Sequence, residues 1–155
     1  MSRLALIAAG VAGATALAVA PAGAVAPSPV SPAGTAATVT ICGPSGLQSG
    51  LLTKVCADIT GNGVQLYGQV GLAGPPTPDS PAPRPRQLIT ALSGTVAGGV
   101  SLGSVNRSVT FLASNVKVDG AGGTVPCGST VHGSFSVQSY PWPARPVDID
   151  VAVTC

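Results

Sequence analysis

Glutamate is absent from this chain: its five acidic residues are all aspartates, and His132 is its one histidine. Without Glu there is no HExxH metalloprotease helix and no standard EF-hand loop, which closes on a bidentate Glu. With a single histidine and no C-x-x-C spacing among Cys42, Cys56, Cys127 and Cys155, a structural zinc site lacks its ligand set. No cofactor is expected. Charged residues are 8% of the chain and aromatics 3%, and the charge content is far below the ~25–35% of a surface designed for free solubility. Ser, Thr, Gly and Asn must supply most of the hydration, or part of the surface is covered. The scattered basic residues and formal charge of +2 exclude a nucleic-acid footprint.

The long apolar run lies at the start. Arg3 precedes Leu4 to Ala20, followed by Pro21 and the small triplet Ala22-Gly23-Ala24. This order of positive, apolar and A-x-A segments marks residues 1–24 as a secretory signal peptide. Cleavage there would leave 131 of the 155 residues, with six basic and five acidic side chains. Export to an oxidising compartment means that the four cysteines pair. No second apolar stretch reaches span length, and the sequence ends on Cys155 without a hydrophobic tail, so the expected product is extracellular or held at the cell wall by non-covalent contacts. Abundant Ala, Gly, Val and Pro, with Arg exceeding Lys, suggest a GC-rich bacterial source.

Residues 25–36 read as a Pro/Ala/Ser-rich leader, and residues 37–155 as one domain. Within it the apolar pattern has period two, the signature of half-buried strands. Val64, Leu66, Val70 and Leu72 alternate with Gln65, Tyr67 and Gln69; Leu51, Val55, Ala57 and Ile59 are inward, with Lys54 and Asp58 outward. Val131, Phe135 and Val137 alternate with His132, Ser134 and Ser136, and Val147, Ile149, Val151 and Val153 with Asp148 and Asp150. Thr38–Cys42 and Gln87–Val96 are further strands. Between Ser108 and Asp119 the parity shifts, which a β-bulge near Leu112 would explain. Gly/Pro turns separate the segments, and no helical periodicity appears. The expected fold is all-β: an antiparallel β-sandwich of about seven strands with two disulfides, for which an immunoglobulin-like Greek key is one candidate topology.

Four cysteines allow three pairings, which the sequence alone leaves open. The pairing of neighbours is preferred: Cys42 with Cys56 and Cys127 with Cys155. If the second pair lies directly opposite in an antiparallel ladder, facing residue numbers sum to 282, which sets His132 against Asp150 and Ser134 against Asp148.

Gly99-Val100-Ser101-Leu102-Gly103 matches the G-x-S-x-G nucleophile elbow, with Asp119 and His132 following in triad order. The motif works only where a strand turns into a helix; here a turn and a strand follow, so a glycine-flanked turn or edge strand is the better reading. His132 with Asp150 reads as a surface pair. Asp148 and Asp150, about 6.5 Å apart on one strand face, lack the further oxygens that Ca²⁺ requires.

Two segments carry recognition chemistry. Tyr140-Pro141-Trp142-Pro143-Ala144-Arg145-Pro146 holds the one Trp, one of two Tyr and an Arg in a Pro-stiffened loop. Rigid aromatic rings at a loop tip stack on a partner with little loss of entropy; the competing reading, favoured by the scarcity of aromatics, is that Trp142 folds back to cap the sandwich. The second, Gly74 to Arg86, is Pro-rich and polyproline-like, and carries Arg84 and Arg86 near its end. It can dock on an aromatic groove or an anionic polymer, or serve as a plain spacer.

The stretch Cys42-Gly43-Pro44-Ser45-Gly46 through Val55-Cys56-Ala57-Asp58-Ile59, about 18 of 155 residues, resembles the first disulfide region of the Streptomyces subtilisin inhibitor family, small secreted β-rich proteins with four cysteines. The family's reactive segment, which follows its third cysteine with a Cys-Pro start and a Tyr-Asp-Pro end, is absent: Cys127 is followed by Gly128-Ser129-Thr130. No inhibitory residue carries over. The sequence thus supports a non-catalytic binding module for a cell-wall polymer or a secreted protein. It leaves open a protease inhibitor presenting Arg84 or Arg86, and a self-associating cell-surface protein.

Overall fold

The computed structural model describes residues 37–75 and 84–155. The signal segment, the leader and the centre of the Pro-rich stretch lie outside the described residues. Nine strands and no helix occur among the described residues: β1 (Thr38–Cys42), β2 (Gly46–Gln48), β3 (Leu51–Thr60), β4 (Gly63–Leu72), β5 (Arg86–Val96), β6 (Val100–Phe111), β7 (Val116–Thr124), β8 (Thr130–Gln138) and β9 (Val147–Ala152). All pairings are antiparallel. One sheet runs β1-β3-β4-β7 with β2 also on β3, and the other runs β6-β5-β8-β9.

The period-two pattern sends alternate side chains inward, where Val55, Leu66, Val70, Leu88, Leu92, Val131, Phe135 and Val151 are buried between the sheets. Glycines make room for the largest of them. A Cβ at Gly68 of β4 would collide with the Phe135 ring of the facing sheet, and one at Gly120 of β7 with the Leu92 side chain. Large side chain meets bare backbone, which lets a core poor in aromatics pack closely across the two sheets.

Both disulfides have the expected pairing, Cys42–Cys56 and Cys127–Cys155. The first links facing positions of β1 and β3, on the outer face that also carries Tyr67. There Lys117 lies 3.9 Å over the Tyr67 ring and 3.7 Å from both Asp58 and Asp119, so Tyr67 is buried although its parity is outward.

The strand order departs from the immunoglobulin candidate. There the third strand crosses to the opposite sheet; here β3 and β4 form a hairpin within one sheet, through a two-residue turn at Gly61-Asn62, and the chain first crosses between β4 and β5. The parity shift at Leu112 is also not a bulge. Phe111 ends β6 in one sheet and Val116 begins β7 in the other, joined by a turn in which Ala113 has φ 71°. A change of sheet resets inward parity just as an inserted residue does, and the sequence pattern alone does not separate them. That split, together with the three-residue β2, raises the strand count above seven.

Candidate functional site

The described end of the Pro-rich stretch and the aromatic loop converge at one end of the sandwich. Ile89 near the start of β5 pairs with Gln138 at the end of β8, so the end of the Pro-rich stretch and the β8–β9 loop emerge side by side. Between them sits the β2–β3 turn, where Ser49 and Gly50 have φ 51° and 73°, the doubly positive pair of a tight hairpin turn.

That turn is tied to the other sheet by side chains. β9 pairs with β8 only as far as Phe135–Val147. Beyond that point the Gln48 amide takes over: Val137 N–H donates to its Oε1 at 2.8 Å, and its Nε2 donates to the Phe135 carbonyl at 3.2 Å and to Thr53 Oγ1 at 2.8 Å. Arg86 Nη1 donates to the Ser49 carbonyl at 2.6 Å. Gly50 consequently borders two shallow pockets. One, of about 210 Å³, is lined by Leu47, Ser49, Trp142, Pro143 and Arg145; the other, of about 330 Å³, by Leu51, Leu72, Arg84, Pro85, Arg86 and Phe111.

The aromatic loop stands in solvent. Tyr140 is 97% exposed and Trp142 59%, with the Trp142 N–H donating to the Ser139 carbonyl at 2.6 Å across a turn that contains a cis Tyr140–Pro141 bond. The expected cap over the sandwich is therefore corrected. Phe111 and the Gln48 amide fill that end of the core, and the Trp ring remains outside beside exposed Leu47. Arg84 and Arg145 are exposed. Arg86 is exposed too, but its guanidinium is engaged with the turn, which opposes its display to a trypsin-like enzyme.

The elbow motif is not assembled into a triad. Ser101 lies in β6 opposite Thr95, which lies opposite His132, so two strand spacings, about 10 Å, separate Ser101 from His132. Its Oγ accepts from the Gly103 N–H at 3.0 Å. Asp119 belongs to the other sheet, facing Tyr67 on the outer side. The 282 register is present, and His132 Nδ1 lies 2.9 Å from Asp150 Oδ1, with Asp148 4.0 Å from Nε2. This pair is exposed on a flat face beside Thr95 and Ser134. Among the described residues no group of three His, Cys, Asp or Glu is arranged to hold a metal.

Sequence reasoning missed Leu47, Gln48, Ser49 and Gly50. The Ser49-Gly50 dipeptide between Gln48 and Leu51 was a usable turn signal, but the three-residue β2 is too short to show periodicity. Comparison with protein-family models, with curated proteins and with solved structures finds no match to this chain.

Proposed function

We propose that this protein is a secreted, non-catalytic binding module that attaches to an anionic polymer of the cell wall through the end of the sandwich bearing Tyr140, Trp142, Arg145 and Arg84. The reading rests on the signal-peptide pattern of residues 1–24, two disulfides and one observation above all. The chain's single Trp is held in solvent, in a Pro-stiffened loop, beside exposed arginines on a sparsely charged molecule. Exposing an aromatic ring forfeits burial, and a rigid ring at a loop tip supplies contact area at small entropic cost. The flanking pockets, of about 210 and 330 Å³, lie below or close to the ~300 Å³ lower bound for enclosing a small molecule, which suits an extended polymer lying across the Gly50 turn. Arginine binds carboxylate or phosphate groups in a fork geometry.

The test is capture of the purified protein by the source's own cell-wall fraction, alongside Trp142→Ala and Arg84→Ala/Arg145→Ala variants with unchanged melting temperature. Capture by the wild type and loss in either folded variant is expected. Equal capture by all three, or capture only of a secreted protein, overturns the wall-polymer reading.

A further inference from the structure

The sandwich has four sheet edges, and three of them carry the features that keep strands from pairing with strangers, namely charge, bulges and cover. β6 carries Arg107 and a register shift at Gly94/Thr95. β7 carries Lys117 and Asp119 and a register shift at Gln65/Tyr67, and its Ala121 approaches Gly103 of β6. β9 carries Asp148 and Asp150, and the segment between β1 and β2 covers it, with Gly43 against the Asp148 carbonyl and Gly46 against Val147. β1, Thr38-Val39-Thr40-Ile41-Cys42, has no charge, proline or bulge, and every residue in it is exposed.

The register shows which backbone groups of β1 are available. Gly43 N–H donates to the Val55 carbonyl at 2.9 Å, and Cys42 and Cys56 face each other with Cα atoms 4.0 Å apart, the close spacing of a pair that does not exchange hydrogen bonds. Odd-numbered residues therefore bond to β3, and the N–H and C=O groups of Thr38, Thr40 and Cys42 point away from it. Val39 and Ile41 face the inner side yet are 54% and 38% exposed, because β1 projects beyond the β9 edge of the other sheet.

We propose that β1 is a self-association edge, on which two copies of this chain pair antiparallel about a two-fold axis at Thr40. Thr40 then exchanges both hydrogen bonds with its copy, and Thr38 does so with Cys42 of the other chain, which uses every outward group of the strand. The two Val39 and two Ile41 side chains meet in the gap between the two β9 edges. Pro44 stops the ladder just past Cys42, so no other register pairs as many residues. The nearest ionisable groups are the two Asp58 carboxylates, each of which accepts from Thr40 Oγ1 at 2.6 Å; Lys117 lies 3.7 Å from each, so every carboxylate brings its own counter-charge and charge opposes the pairing little. A strand pair this short falls in the weak class of interfaces, below about 1,200 Å², so association depends on concentration.

The experiment is sedimentation equilibrium of the purified protein from micromolar to millimolar concentration, with amide hydrogen exchange at both extremes. The expected result is a mass rising from monomer to twice monomer, with exchange at Thr38, Thr40 and Cys42 slowing as concentration rises while Val39 and Ile41 stay protected throughout. Thr40→Pro removes an N–H that β3 does not use and should weaken dimerisation by at least about tenfold. Thr40→Val, which loses only the side-chain bond to Asp58 at 2.6 Å, should not. Ile41→Lys gives an independent variant should Thr40→Pro fail to fold. Monomer mass at millimolar concentration, or undiminished dimerisation in a folded Thr40→Pro or Ile41→Lys variant, overturns the proposal.

Discussion

Gln48 stands where a strand is missing. Its buried amide gives the end of β8 the two backbone bonds that β9, already turned away, no longer supplies. A leucine in its place would fill the space and leave a buried N–H and C=O unpaired, at about 1–3 kcal/mol each. Gln48→Leu is accordingly expected to lower stability by about 2–4 kcal/mol in urea denaturation and to loosen the Gly50 turn. Trp142→Ala should behave in the opposite way. Its ring is 59% exposed and carries little of the core, so the change in stability should stay within about 0.5 kcal/mol while wall capture falls. A cost above about 2 kcal/mol would show that Trp142 is a structural cap after all. Neither role was legible from residue type. A glutamine after an apolar residue reads as a solvent-facing strand position, and burial of an isolated Trp depends on what else fills the end of the core.

At the scale of the element, strand parity was largely legible because one buried face leaves a strong alternation. β3, β4, β8 and β9 show it in their burial patterns, and the 282 register followed from one disulfide and antiparallel geometry. Parity was silent in β6, where a Gly/Ser-rich edge strand buries only Phe111 at its end. Glycine within the strands has a packing meaning that sequence does not display. Gly68→Ala pushes a methyl group into the Phe135 ring and is expected to cost about 1–3 kcal/mol. Adding Phe135→Leu should recover part of that loss, since the two sites share one space; strictly additive losses in thermal melts would show that they do not. Removing the Cys42–Cys56 bridge, which spans 14 residues, is expected to cost about 3 kcal/mol in the loop-entropy picture, measured with the Cys42→Ala/Cys56→Ala variant.

Across the whole molecule, the exposed cations Arg84 and Arg145 share the end with the aromatic loop, whereas Asp58 and Asp119 lie on one outer face and Asp148 and Asp150 on the other. A ligand held partly by those arginines should be released by salt, because the screening length falls from about 10 Å at 0.1 M to about 3 Å at 1 M. Wall capture is expected to drop several-fold over that range, with a salt-resistant remainder that Trp142→Ala abolishes. Capture indifferent to salt would remove the arginines from the site. By itself the sequence determined the all-β class, the inward set of most strands and most of the turns, and it favoured without deciding the cysteine pairing that the structure shows. Each follows from local period or from short-range geometry. Only the tertiary structure decided that the sheet changes at Leu112, that the end of the Pro-rich stretch at Arg84–Arg86 and the Trp loop come together beside Gly50, and that β1 is left uncovered by the other described residues. Those outcomes depend on which strands become neighbours across the sandwich, and neighbourhood is set by packing the whole core rather than by any stretch of residues.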